Sequence, residues 1–256
     1  MQQWLVKVLI LSICLLSVAQ AEPAAQHTLS VPHQSKIWTT LNPDQAKKSG
    51  QLLMNLPNGL HQLSPKQPNG PLIILVHGYA SKGYEWVYAA KQLYNRGEVY
   101  FYRWNWELCP QEGGVALMKE ILRLQKRQSH RTLEVFGHSY GGVISAITAA
   151  QYQGHQKLRI HSIAAPLAGH KQLEARCQPS ISTLTQPLMD SKRAHQVKVT
   201  QWKTIRELDG AFKNLDYDPQ NVEWPNKVIL LPRSYKGHRL GHNWSISAVV
   251  DQLLSL

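Results

Sequence analysis

A serine lies between glycines in the run Gly137-His138-Ser139-Tyr140-Gly141, after a short apolar segment and before a stretch of small apolar residues. A strand, a tight turn and a helix would hold this serine at the apex of the turn, where a base can reach its hydroxyl. Glycine at 137 and 141 removes the Cβ atoms that would collide with the strand and the helix. The spacing predicts a nucleophile, Ser139, and the alternative is a serine in a structural turn.

Downstream of the serine, the chain offers a base and an acid to orient it. His242 follows the last predicted strand by a short glycine-containing loop and directly precedes the terminal helix, and His238 in that loop is its rival. An imidazole there would take the serine proton and return it to the leaving group. Asp209 comes soon after the strand predicted at 197–204 and would hold the imidazole in place. Three other carboxylates stay open as substitutes for it: Glu207, Asp216 and Asp218.

The elements that must position these residues alternate regularly from residue 71 onward. Apolar runs predict strands, and 3.6-residue patterns predict helices. The strands are expected at 72–76, 99–104, 133–136, 158–164, 197–204 and 228–231, and the helices at 84–94, 115–128, 142–152 and 245–254. This alternation indicates an α/β fold with a mostly parallel central sheet and helices on both faces. Ligands of such sheets bind at the carboxyl ends of the strands, where Ser139 lies.

Two stretches are less regular. The segment from Gln51 to Leu63 predicts one or two edge strands around the turn Pro57-Asn58-Gly59. The connection from 166 to 196 is long and contains Pro179 and Pro187. Two interpretations of it are open, a lid over the site or an insertion of surface helices.

The first 21 residues have the features of a signal peptide. A single charge at Lys7 precedes an apolar stretch from Val8 to Val18, and Ala19-Gln20-Ala21 is a small-x-small cleavage site. The apolar stretch is too short to span a bilayer. We expect a single domain over residues 22–256, exported to the periplasm or secreted, and the alternative is an uncleaved membrane anchor.

The net charge and the cysteine content indicate which binding partners and cofactors to expect. The 256-residue chain carries a formal net charge of +12 with its basic residues spread along the sequence. Such a surface favours solubility, with peripheral contact to an anionic membrane surface as the alternative. No motif of aromatic and basic residues predicts nucleic-acid binding. Cys109 and Cys177 follow the leader, and a disulfide and two free thiols are both open. No cluster of cysteine and histidine predicts a metal, and no cofactor is expected.

The chain resembles the α/β-hydrolase family. Within that family, it is most similar to the small secreted lipases and esterases. The resemblance rests on four features between residues 71 and 247: the pair His77-Gly78 after an apolar strand, the 137–141 turn, an acid after a late strand, and a histidine before the last helix. The family order is serine, acid, histidine. The resemblance therefore implies a triad of Ser139, Asp209 and His242. Members of the family often carry a glycine between the strand and the acid, and this chain has none there.

The same resemblance implies an oxyanion hole and an activity. Its backbone N–H donors are expected from Tyr140, after the nucleophile, and from Tyr79, in the loop after His77-Gly78. The implied protein is a serine hydrolase that cleaves carboxylic esters, preferably lipid or acyl esters, through an acyl-serine. An amidase or peptidase, a thioesterase and an acyltransferase would use the same groups. A non-catalytic envelope-binding protein is the alternative from another class. We expect His138 to point away from the nucleophile and to have no catalytic role.

Overall fold

The structure is a computed structural model that describes residues 31–171, 175–190 and 195–255. The predicted signal peptide lies outside these residues. In the part of the chain that is described, no helix is long and apolar enough to cross a membrane.

Helices and strands alternate along most of the described chain. The helices are α1 (Val31–Thr40), α2 (Ala46–Met54), α3 (Tyr84–Leu93), α4 (Pro110–Arg127), α5 (Tyr140–Gln151), α6 (Ile181–Thr185) and α7 (Trp244–Leu254). The strands are β1 (Gly59–Gln62), β2 (Leu72–Val76), β3 (Glu98–Arg103), β4 (Leu133–His138), β5 (Leu158–Ile163), β6 (Val197–Lys203), β7 (Lys227–Leu230), β8 (Ser234–Tyr235) and β9 (His238–Arg239). Every strand and helix predicted from residue 71 onward is present, with ends that differ by a few residues.

Seven strands form one sheet in the order β1-β3-β2-β4-β5-β6-β7. Only β1 is antiparallel to its neighbour, and the other six strands are parallel. Every residue of β2 and β4 is buried, as expected for central strands that are covered on both faces. This sheet confirms the predicted α/β architecture.

Helices cover both faces of the sheet and enclose a core on each. On one face, Leu117 of α4 packs in the same buried cluster as Ile144 and Ile147 of α5. On the other face, Trp86 of α3 lies in the same cluster as Val249 of α7. Because α5 and α7 are held rigidly against the sheet, the residues just before each helix have fixed positions.

Of the one or two edge strands predicted between 51 and 63, one is present. Residues 51–54 belong to helix α2, and β1 (Gly59–Gln62) is the one edge strand of that segment. A short apolar run such as Leu52-Leu53-Met54 fits either element, and tertiary contacts decide between them. Here Gly50 lets α2 approach the start of α3, since an added Cβ would lie 2.3 Å from the amide nitrogen of Tyr84.

The connection after β5 is fastened to the start of α4. Cys109 and Cys177 form a disulfide with Cα atoms 5.5 Å apart, so the pairing left open by the sequence is present. The described part of 166–196 contains α6 and a 3₁₀ turn at Gln186–Met189. Ile181 at the start of α6 is buried in the core beside α5.

Candidate active site

Ser139 lies at the apex of a sharp turn between β4 and α5. Its backbone has φ 54° and ψ −123°, a combination that costs energy for any residue with a side chain. The amide of Ser139 donates a hydrogen bond of 2.8 Å to the carbonyl of Ile163 at the end of β5. The turn therefore projects the serine at the carboxyl edge of the sheet, as the sequence predicts.

Two glycines make this turn sterically feasible. A Cβ added at Gly137 would lie 2.4 Å from the carbonyl oxygen of Gly141, and one added at Gly141 would lie 2.2 Å from that of Val76. Both distances are far inside van der Waals contact, and both partners are backbone atoms with little freedom to move. The spacing of these glycines thus has the steric cause inferred from the sequence.

Asp209 and His242 meet although 33 residues separate them. The imidazole Nδ1 lies 2.9 Å from Oδ1 and 3.0 Å from Oδ2 of the carboxylate. Asp209 is completely buried, and the His242 side chain is 18% exposed. An Nδ1–H that donates to the carboxylate leaves Nε2 as the basic nitrogen, which is the tautomer that a general base requires.

The alternative candidates for the base and the acid interact with other residues. The His238 ring stacks on Trp244 with centroids 5.2 Å apart. The rival carboxylates pair with basic side chains near the surface: Glu207 with Arg206, Asp216 with Lys171, and Asp218 with Lys203. The geometry therefore favours His242 and Asp209 over each of them.

Additional donors fix the carboxylate of Asp209. The Thr204 hydroxyl donates to Oδ2 over 2.6 Å, and the amide of Ala211 donates to Oδ1 over 2.8 Å. Burial acts to raise the pKa of Asp209, but the hydrogen bond and charge of His242, with the bonds from Thr204 and Ala211, outweigh it and lower this pKa below its usual value. The carboxylate is therefore ionised at neutral pH.

The backbone of Thr204 is itself fixed by hydrogen bonds to a buried glutamine, Gln220. The Gln220 side chain accepts from the amide of Thr204 over 3.0 Å and donates to its carbonyl over 3.0 Å. Gln220 is completely buried. Sequence reasoning did not find Thr204 or Gln220, because neither lies in a recognisable motif and the contact spans 16 residues.

His138 is more closely involved with the site than the sequence suggests. Its ring lies 4.5 Å from that of His242, and its Nε2 lies 3.0 Å from the His242 carbonyl oxygen. Burial, with the nearby charge of His242, lowers the pKa of His138 to about 3. A neutral His138 can donate from Nε2 to that carbonyl, and so it supports the loop that carries the base. The sequence expectation that His138 has no direct part in the chemistry is compatible with this supporting position.

The loop after β2 passes directly against the serine. A Cβ added at Gly78 would lie 3.0 Å from Cβ and 3.6 Å from Oγ of Ser139. The next residue, Tyr79, has a side chain that is 56% exposed. Tyr140 begins α5, where the first amides have no partner within the helix and the helix dipole is positive. The two predicted oxyanion donors therefore lie on the two segments that meet at Ser139.

Ser139 borders two cavities. A small one of about 120 Å³ is lined by Ser139 and His242, together with Gly78 and Glu85. A larger one of about 470 Å³ is lined by Ser139, with Tyr79, Tyr140, Pro166, His170, Arg176, Ala211 and Phe212. Ser139 and His242 thus line the small cavity together, and Ser139 also lines the larger cavity.

The described residues contain no group of three or more histidine, cysteine, aspartate or glutamate side chains that could hold a metal ion.

Comparisons with known proteins give matches only among solved structures. No protein-family model and no curated protein matches the sequence. The chain is similar to the lipase BlEst2 of Bacillus licheniformis in its mature form, with a TM-score of 0.50 and 13% identity over 78% of this chain and 97% of that one. The propeptide form of the same lipase matches with a TM-score of 0.53 and 13% identity, over 79% of this chain and 54% of that one. Both comparisons agree with the fold class that the sequence predicts.

Proposed function

We propose that this chain, an α/β-hydrolase by its fold, cleaves carboxylic esters through an acyl-serine intermediate. The observation that carries the proposal is the contact between the buried Asp209 carboxylate and His242, 2.9 Å apart, beside a cavity that Ser139 also lines. A nucleophile on a strained turn, a base and an orienting acid are the three parts of a serine hydrolase. The similarity to a bacterial lipase of the same fold supports the same chemistry.

In the first half of the reaction, the Ser139 hydroxyl attacks the ester carbonyl. Nε2 of His242 takes the hydroxyl proton as the new C–O bond forms, and the carbonyl oxygen becomes negatively charged. The backbone amides of Tyr79 and Tyr140 are the donors for this oxyanion. The bond to the alcohol then breaks, and the imidazolium gives its proton to the departing alkoxide. In the second half, a water activated by His242 releases the acid and restores Ser139.

The carboxylate of Asp209 keeps the base in the required orientation. It stabilises the imidazolium that forms during each half of the reaction. This role needs an ionised acid, and the hydrogen bonds that lower the pKa of Asp209 favour that form. Complete burial of the carboxylate removes competing water from this contact.

The larger cavity supports a preference for acyl or lipid esters. It has a volume of about 470 Å³ and is lined partly by Tyr140, Pro166 and Phe212. The same cavity borders Tyr79 and Tyr140, whose amides would hold the carbonyl oxygen. An acyl chain bound to that carbonyl would therefore extend into this cavity, where apolar contacts favour it.

The direct test replaces Ser139 by alanine. We expect the turnover of p-nitrophenyl acetate and butyrate by Ser139→Ala to fall by at least about 10⁴-fold, because triad members act as a unit. A fluorophosphonate probe should label the wild-type protein at Ser139 and leave the variant unlabelled. Ser182→Ala, which removes an exposed hydroxyl in α6, is the matched control and should keep full activity. Unchanged turnover in Ser139→Ala would disprove the proposal.

A panel of substrates separates ester hydrolysis from the reactions that share the acyl-serine. An ester, an amide and a thioester of the same acyl group are compared, each with and without an acceptor alcohol. We expect the ester to have the highest kcat/KM and water to be the preferred acceptor. Amide or thioester preference would identify an amidase, a peptidase or a thioesterase, and transfer to the alcohol would identify an acyltransferase.

Export is part of the proposal. The disulfide between Cys109 and Cys177 supports it, because such bonds persist in oxidising compartments such as the periplasm and the extracellular space. We expect the mature protein recovered from an expressing bacterium to begin at Glu22. Mass spectrometry of that protein checks this, and a chain that retains Met1–Ala21 would contradict cleavage.

A further inference from the structure

We infer that the alcohol portion of the substrate is a carbohydrate, bound in an aromatic cleft beside His242, where Glu85 accepts a hydrogen bond from a sugar hydroxyl. This inference rests on the proposed ester hydrolysis and adds to it the identity of the leaving group. It follows from the side of Ser139 on which the alcohol must depart and from what lines that side.

The position of the base determines where the alcohol lies. His242 must give its proton to the departing alkoxide, so the alcohol oxygen has to lie next to the imidazole. His242 lines the small cavity of about 120 Å³, and Tyr79 and Ser139 line it as well. The cavity on the other side, which borders Tyr140, then holds the acyl group. The alcohol therefore leaves through the small cavity.

The small cavity adjoins a larger cleft. Tyr84, Glu85 and Asn243 line the small cavity and also line a cleft of about 520 Å³. Because three residues are common to both, the two spaces are neighbours, and the Asn243 amide donates to the Tyr84 hydroxyl over 3.0 Å where they meet. The cleft is large enough for a sugar ring and lies between the start of α3 and the start of α7.

Four of the ten residues that line this cleft are aromatic. They are Tyr84, Tyr88, Tyr235 and Trp244. Tyr84 is 39% exposed and Trp244 is 45% exposed. The faces of such rings carry partial negative charge, which attracts the partially positive C–H groups on a face of a sugar ring. The stacking of His238 on Trp244 at 5.2 Å helps to hold the indole in place.

Glu85 has one buried carboxyl oxygen without a partner within hydrogen-bond distance among the described residues, and burial raises the pKa of this carboxyl group. The side chain is only 9% exposed. Its Oε1 accepts from the Ser81 hydroxyl, while Oε2 is buried and has no hydrogen-bond partner among the described residues. A buried acceptor without a donor is costly. A hydroxyl of the alcohol bound in the small cavity would supply that donor.

The charges around the cleft argue against other alcohols. Lys236 pairs with Asp251 over 2.7 Å and lies 5.0 Å from the ring centroids of Tyr88 and Tyr235. A cationic alcohol would need the ring faces of Tyr88 and Tyr235, and the ammonium group of Lys236 beside these rings would repel it. A long alkyl alcohol would leave Oε2 of Glu85 without a donor. A neutral alcohol with several hydroxyls and apolar C–H faces fits both features, and a sugar is such an alcohol.

The test compares two acetate esters that differ only in the alcohol, 6-O-acetyl methyl glucoside and ethyl acetate. We expect wild-type kcat/KM to be at least about tenfold higher for the sugar ester, since one hydrogen bond to a buried carboxyl group contributes this much. In Glu85→Leu the ratio of the two kcat/KM values should fall about tenfold, and Glu85→Gln should restore part of it. Glu223→Gln, at an exposed carboxylate away from the cleft, is the matched control and should keep the wild-type ratio.

A second measurement needs no variant at Glu85. Methyl glucoside should inhibit the hydrolysis of p-nitrophenyl acetate competitively, and Trp244→Ala should weaken this inhibition about tenfold or more. If the wild type turns over both acetates equally, or if methyl glucoside does not inhibit, the carbohydrate inference is wrong. If neither ester is turned over and Ser139 takes no fluorophosphonate label, ester hydrolysis itself is wrong.

Discussion

The residues on the two sides of Ser139, those around His242 and those that border the acyl cavity, are fixed by different interactions. On the acid–base side, His242 is held by the buried Asp209 over 2.9 Å and by His138 over 3.0 Å. On the acyl side, the cavity is bordered by Tyr79, which is 56% exposed, and by Arg176. The segment that carries Arg176 is anchored by the adjacent disulfide. One side uses buried hydrogen bonds between loops that follow the strands, and the other uses a covalent link between two loops.

This difference corresponds to what each side must do. Proton transfer requires an imidazole placed within a few tenths of an ångström and in one tautomer. Buried hydrogen bonds to an ionised carboxylate are short and directional, so they can supply this precision. Binding an acyl chain depends on shape and apolar surface and tolerates small displacements. A disulfide limits how far the loop can move without fixing each contact.

The largest effect is expected from Asp209→Asn. An amide in this position favours the wrong imidazole tautomer, so kcat should fall by about 10⁴-fold. Steady-state kinetics with p-nitrophenyl acetate measure this loss. Asp216→Asn is the matched control, because this exposed carboxylate pairs with Lys171 away from His242. A loss below about tenfold in Asp209→Asn, or an equal loss in the control, would overturn the assignment.

The disulfide should matter for stability and much less for the chemistry. Its cysteines are 68 residues apart, and closing a loop of that length is worth about 4 kcal/mol through the unfolded chain. The double variant Cys109→Ser, Cys177→Ser should lose roughly this free energy of unfolding, measured by urea titration. Its kcat for p-nitrophenyl acetate should stay close to that of wild type, because Asp209 and His242 keep their contacts.

Reduction of the wild-type protein provides the control for this experiment. A reducing agent should lower the unfolding midpoint of wild type to that of the double variant and leave the midpoint of the variant unchanged. A double variant whose kcat falls as far as that of Asp209→Asn would show that the two sides of the serine are not independent.

The parts of the site that the sequence predicts are those with local causes. Gly137 and Gly141 are required by the backbone around Ser139, so their spacing, together with the apolar strand before it and the helix after it, predicts the turn. The order of Ser139, Asp209 and His242 along the chain indicates which strand ends carry them. The sheet then brings these ends together, because parallel strands place their carboxyl ends at one edge.

The parts that the sequence does not predict depend on contacts between distant segments. Gln220 supports Asp209 only through Thr204, and Glu85 lines the cleft only because α3 packs beside α7. Nothing in the local pattern of either residue distinguishes it from a solvated polar side chain. The helix at 46–54 is missed for a similar reason, since its apolar residues fit a strand until α3 packs against them.

The smallest predicted effect concerns the pH dependence of stability on the acid–base side. Burial lowers the pKa of His138 to about 3 in the folded protein, against 6.5 for an ordinary histidine. Between these values the unfolded chain binds one more proton than the folded chain does. The free energy of unfolding therefore falls as the pH drops below 6.5, by about 1.4 kcal/mol per pH unit for this one histidine.

His138→Asn removes this titration. Its free energy of unfolding should fall less steeply between pH 7 and pH 5 than that of wild type, by about 1.4 kcal/mol per pH unit. His161→Asn is the matched variant, because burial lowers the pKa of His161 to about 3 as well and its ring stacks on Phe136 in the core. Both variants should change the slope equally. If the slope of His138→Asn matches that of wild type, His138 binds a proton in the folded protein as readily as in the unfolded chain, and it does not stay neutral as a support of His242 when the pH falls below 6.5.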